Sequence, residues 1–186
     1  MRAPRSLVLA VWLATAAAPW SSARASPVAS LTLRGASQGD IKGGATQKGR
    51  EDTLRVLAVS HTLTSPRDPA SGLATGKRQH KPIVLTVELD RAAPLLYRAL
   101  VTNEKLSEVV VRFYAPASKP GALELNSHTL RLVNAALAEV KLIKSDDPKQ
   151  SDTLELSFTY QKIDWTWHDG NITAADDWEA SKSKGL

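Results

Sequence analysis

Residues 81–100 change their hydrophobic period once, and that change constrains the fold more than any other feature of the chain. Ile83, Leu85, Val87 and Leu89 alternate with Val84, Thr86 and Glu88, the period-two pattern of a strand with one apolar face. Beyond Arg91 the apolar residues Leu95, Leu96, Ala99 and Leu100 fall on one stripe of a helix. Pro94 suits the first helical turn, where its missing N–H has no intrahelical partner to lose and its φ is already helical. The run therefore predicts a strand joined by a short link to a helix over about residues 93–103.

The other signals are mostly strand signals. Leu31, Thr32, Leu33 and Arg34 alternate and stop at Gly35, whereas residues 38–49 hold four glycines and little apolar content and read as loop. Residues 54–63 place Leu57, Val59 and Leu63 on one face and Leu54, Val56 and Ala58 on the other, so burial on both faces is expected over the first half. Residues 65–79 carry Pro66, Pro69, Gly72 and Gly76 with Leu73 the sole large apolar residue. A break of that length is either functional or a bare hairpin tip. Residues 109–114 are β-branched and aromatic, residues 116–121 form a turn, and residues 122–132 alternate again. Residues 134–143 fit helix through Ala135, Ala136, Leu137 and Ala138, or strand through Val140, Leu142 and Ile143. Leu154, Leu156, Phe158 and Tyr160 share one strand face, while Ile163, Trp165 and Trp167 have the opposite parity, which calls for a bulge or bend near Gln161. Asp169-Gly170 is a turn signal, and residues 176–186 read as a polar tail anchored by Trp178. Six or seven short antiparallel strands with one short α-helix make a mainly β chain, folded as a single barrel or sandwich.

Composition narrows the chemistry. The 186 residues suit one domain, and the absence of cysteine excludes disulfides and thiolate-bound metal. The net charge of +5 overstates the basicity, because Arg2, Arg5 and Arg24 lie in an N-terminal segment of separate character. Without them the surplus is only two, no warrant for nucleic-acid binding. That segment, residues 1–25, has a positive start, an apolar stretch over residues 7–18 and an Ala23-Arg24-Ala25 cleavage pattern. The apolar stretch is short of the ~20 residues a membrane-spanning helix needs. Two readings fit it: a secretory signal ahead of a domain over residues 26–186, or translated upstream sequence before a later start.

No catalytic or cofactor motif stands out. His61, His80, His128 and His168 lack zinc-site spacing, and the His61 and His128 positions are those of strand residues. His168-Asp169 has no nucleophile elbow to serve. Asp146-Asp147 is followed by Pro148 and Lys149 where calcium would want further oxygens, and Asp176-Asp177 reads as surface charge. The glycines of residues 39–49 form no phosphate-binding loop. No enzyme activity, metal or cofactor is expected. Lys77, Arg78, Gln79, His80 and Lys81 form the one dense basic cluster, either a solubilising loop end or a contact that sets the register of a neighbouring subunit. Trp167 is the aromatic best placed to be an exposed anchor.

The opening residues 31–35, the lead-in over residues 76–82, the strand–helix run, the Tyr160-to-Trp165 strand and Trp178, in that order, resemble the haemolysin-coregulated protein family, the tube protein of the type VI secretion machine. The resemblance spans most of residues 28–180, and it decides residues 134–143 for strand. It implies hexameric rings whose sheets line a channel, with the helix outward. Rings stack into a tube tipped by a spike protein of the valine–glycine-repeat type, wrapped by a contractile sheath and carrying small effectors. It also implies that residues 65–79 reach toward the next ring. Asp68, Gly76, Lys77, Arg78, His80, Lys81 and Trp167 are accordingly the candidates for ring assembly and stacking. A tube subunit is cytoplasmic before assembly and secreted afterwards. The signal-like segment, foreign to that pattern, favours the alternative of an exported binding module that builds no tube.

Overall fold

The computed structural model describes residues 29–115, 124–147 and 149–177. The expected turn over residues 116–121, the anchoring role of Trp178 and the N-terminal segment lie outside them. Among the described residues there are eleven strands and one helix. In chain order these are β1 (Ala29–Gly35), β2 (Gly39–Ile41), β3 (Leu54–Ser60), β4 (Leu63–Thr64), β5 (Gln79–His80), β6 (Ile83–Glu88), α1 (Ala93–Val101), β7 (Lys105–Ala115), β8 (Leu125–Ile143), β9 (Thr153–Thr159), β10 (Lys162–Trp167) and β11 (Ile172–Asp177).

Six strands close a barrel in the order β8-β7-β1-β3-β6-β9, with β9 returning to β8 and every pair antiparallel. Closure removes the exposed edges that an open sheet would present. The element that makes it possible is β8, 19 residues long. One of its edges carries β7, and the other carries β10 over residues 128–133 and then β9 over residues 136–143. The β10–β11 hairpin thus prolongs the sheet beyond the barrel. Asn134, with φ of 50°, stands where one partner gives way to the other.

The barrel fills with alternate residues of its strands. Leu31, Leu54, Ile83, Leu85, Leu132, Leu154, Leu156 and Phe158 are fully buried. The expected strand and helix of residues 81–100 are both present, and Leu96 and Ala99 of α1 enter the same core. Leu89, expected on the strand's apolar face, is exposed because the strand ends at Glu88. Asp90 starts the helix by accepting from the N–H of Ala92 through Oδ1 (2.8 Å). Its C-terminal end is a Schellman motif, with Asn103 in the left-handed region (φ 51°) and Glu104 N–H donating to the Ala99 carbonyl at 2.8 Å.

Four expectations are corrected. Residues 54–60 are not buried on both faces: Leu54 and Val56 point in, while Leu57 is 47% exposed. The pairing with β6 skips Leu57, and this bulge reverses side-chain parity so that Val59 packs on the core. The glycine-rich residues 38–49 contain β2, whose Ile41 is buried. His61 lies in the link between β3 and β4 rather than within a strand. Asp176 and Asp177, expected as the start of a polar tail, belong with residues 172–175 to β11, in which every residue pairs with β10. By contrast, residues 134–143 are strand, and the bend near Gln161 separates β9 from β10.

Candidate assembly surface

Residues 65–79 are an ordered hairpin. Leu63 and Thr64 pair with His80 and Gln79, Arg67 bridges Ala74, and Lys81 N–H donates to the Thr62 carbonyl at 3.0 Å. The tip is built by Asp68. Its carboxylate accepts from Ser71 N–H (2.6 Å), Ser71 Oγ (2.8 Å) and Ala70 N–H (3.1 Å), and these bonds hold its pKa below the usual carboxylate value. Gly72 closes the turn at φ of 71°. Leu73 is left 69% exposed at the tip of this hairpin.

At the base of the hairpin the basic cluster divides. Lys77 and Lys81 are exposed, as is Gly76. Arg78 and His80 turn instead to β11. Arg78 donates through Nε and Nη2 to the two oxygens of Asp176, and through Nη2 to the Asp177 carbonyl at 3.3 Å. The His80 side chain is 2% exposed, with Nε2 at 2.6 Å from Asp176 Oδ2 and Nδ1 at 2.8 Å from the Tyr160 hydroxyl. The same hydroxyl lies 2.8 Å from His61 Nε2, and the His61 ring stands 6.1 Å from that of Trp165.

One relay thus runs from His61 through Tyr160, His80 and Asp176 to Arg78. Its electrostatics follow from burial and charge. The Arg78 guanidinium, helped by His80, holds the Asp176 carboxyl below its usual range against the opposing effect of burial. Burial, with the Asp176 charge behind it, pushes the Tyr160 phenol up to about 12. Burial, then the proximity of His80, lowers His61.

Asp176-Asp177 was expected as surface charge, and Asp176 is the anion at the centre of this cluster. Sequence reasoning also missed Tyr160 and His61 as its members. A basic run and a distant acidic pair are a signal only once their strands are placed side by side. Trp167, 50% exposed, stands apart from the hairpin cluster. It lies opposite His128 on β8 and Ile172 on β11, and its ring is 6.0 Å from that of His128. His168 is engaged by Thr129 Oγ1 (2.9 Å) and Asn126 Nδ2 (3.1 Å), neither of them a nucleophile–base arrangement with Asp169. Among the described residues no three His, Asp or Glu side chains are grouped to hold a metal, and no helix is long and apolar enough to cross a membrane.

A closed six-stranded antiparallel barrel with a sheet extension on one side and a hydrogen-bonded hairpin is the class of protein this geometry defines. A family model described as "Type VI secretion system effector, Hcp" matches residues 31–167, and the chain belongs to that family. It is 36% identical over 155 residues to the "Major exported protein" of Pseudomonas aeruginosa strain PAO1, covering 81% of this chain and 89% of that one. A crystal structure of an Hcp protein superposes with a TM-score of 0.76 at 31% identity, covering 81% of this chain and 99% of the other. A mutant form of the Hcp1 protein from E. coli EAEC 042 pathovar superposes with a TM-score of 0.73 at 30% identity, covering 82% and 99%.

Proposed function

We propose that this chain is a structural, non-enzymatic subunit of a type VI secretion tube. Copies close into hexameric rings, and the rings stack into a channel that carries or shelters small effectors. A valine–glycine-repeat spike caps the tube and a contractile sheath surrounds it. The observation that carries the reading is the hydrogen-bonded hairpin whose tip holds Leu73 in solvent, available to a neighbouring copy. Closing a ring from identical subunits requires two different, complementary surfaces on each copy. The outward side chains Lys77 and Lys81, the Asp68–Gly76 tip and Trp167 on the sheet extension supply such surfaces, while Arg78 and His80 act indirectly by holding the hairpin. Export agrees with the name of the Pseudomonas relative. A signal-like segment over residues 1–25 instead favours a second reading, an exported barrel that binds a ligand without building a tube.

Native mass spectrometry with negative-stain microscopy on the full chain separates the two. Six-fold rings with a central hole are expected. A folded monomer over a wide concentration range would overturn the tube reading. Deleting residues 69–76 is expected to leave the barrel folded and weaken ring stacking. Unaltered stacking in that variant would remove the role assigned to the tip.

A further inference from the structure

We propose that His61, Tyr160, His80, Asp176 and Arg78 form a proton-sensitive latch that holds the hairpin on the β10–β11 extension and loosens it at the shared Tyr160 hydroxyl when both imidazoles are protonated. The inference goes beyond assembly and concerns the single subunit. These groups join the hairpin and its entry at His61 to the rest of the domain through side-chain hydrogen bonds.

The proton positions follow from the donor inventory. Asp176, ionised beside Arg78, can only accept, so His80 donates from Nε2. The lone pair of neutral His80 Nδ1 then accepts from the Tyr160 hydroxyl, whose oxygen accepts from His61 Nε2–H. Every link is satisfied with both rings neutral.

One added proton is tolerated. On His61 it occupies Nδ1 and leaves the relay unchanged. On His80 it occupies Nδ1, so the relay reverses and the phenol donates to His61 Nε2. A second proton has no such solution. Both rings would then donate to the same phenol oxygen, the phenol hydrogen would lose its acceptor, and two cations would face each other across one hydroxyl. The cations nearby do not relieve this, and Asp177, the carboxylate next to Asp176 on β11, meets Arg78 through its backbone carbonyl. Arg78 is already committed to Asp176, Lys162 at the start of β10 pairs with Asp164 at 3.0 Å, and Lys77 and Lys81 add positive charge to the hairpin. Burial and the neighbouring ring make His61 harder to protonate than an ordinary histidine, and Asp176, whose carboxyl is lowered, stays paired with Arg78.

The test is amide hydrogen exchange of residues 62–81 in the full chain, corrected for intrinsic rates, between about pH 7.5 and about pH 4.5, a span that brackets the ordinary histidine value of ~6.5. Protection of the hairpin is expected to fall by about tenfold or more on acidification. Peptides from β1 and β7 should stay protected, which reports that the barrel remains folded. Tyr160→Phe, which removes the shared hydroxyl and keeps the bonds to Asp176, should lose the pH step. His61→Gln, which leaves a single imidazole, should be protected at both pH values. A parent hairpin equally protected at both, a Tyr160→Phe variant that titrates like the parent, or release in His61→Gln would overturn the latch. Oligomeric state is recorded alongside. Rings with no hairpin step sink the latch alone, and a step without rings sinks the assembly reading alone.

Discussion

Glu104 shows how much one side chain organises here. Buried at the start of β7, its Oε1 accepts from the backbone N–H groups of Ser37 (2.7 Å) and Gln38 (2.8 Å), and its Oε2 from Gln38 Nε2 (2.6 Å). Burial opposes its ionisation, but these donors outweigh burial and leave its pKa below the ordinary value. It thereby pins the turn between β1 and β2, and it approaches so closely that a Cβ on Gly35 would lie 2.4 Å from Oε1. A side chain at position 35 would therefore displace this carboxylate from its donors. Glu104→Gln keeps one acceptor oxygen and turns an NH2 toward donors, so it should lower unfolding free energy by about 1–3 kcal/mol, measured by urea denaturation. None of this was legible in the sequence, where Glu104 is one acid among 19. Asp176 is a similar case, since its meaning depends on Arg78 and His80, nearly a hundred residues away.

At the scale of elements, local chemistry was readable wherever the chain makes its own decision. The period change of residues 81–100 yields β6 and α1, with Pro94 in the first turn. The helix end is equally local, since Asn103 carries the positive φ that lets the Schellman bonds form. Asn103→Ala should cost about 1–2 kcal/mol for an unfavourable left-handed conformation, and Asn103→Gly should not; thermal unfolding of the pair checks it. Strand parity was less legible. The bulge at Leu57 turns the second half of β3 over, and alternation alone gives no sign of a skipped residue. β11 was missed because Ile172 to Asp177 have little apolar character, and it is a strand through its backbone pairing with β10. The hairpin over residues 63–80 looked like a bare break because its order comes from Asp68 and from contacts with β11.

Over the molecule as a whole, several charges of the described residues meet in short-range pairs. Cross-strand pairs on the sheet join Arg34 to Asp40 (2.7 Å) and Arg131 to Glu108 (2.5 Å) and to Asp164 (3.4 Å), and within β10 Lys162 reaches Asp164 (3.0 Å). Exposed pairs of this kind add little individually. Together with Asp52, Asp68, Asp152, Asp176 and Glu104, however, Asp40 belongs to a set of carboxyls lowered in the folded state. A lowered pKa contributes stability above the unfolded value and loses it as pH falls through the folded one. His61, also lowered, has the same sign with its onset in the histidine range. The melting temperature should therefore decline gently through that range and steeply below about pH 4, as calorimetry across pH would reveal. The sequence by itself determined the mainly β class, the single helix and its bounds to within two residues, the bend near Gln161 and the family resemblance, because periodicity, proline placement and turn residues act over a few neighbouring positions. The tertiary structure decided that β8 closes the barrel and carries the extension, and that a loop of basic residues is latched to β11. Strand pairing brings distant segments together through backbone groups that every residue shares, so no local pattern in the chain announces the partner.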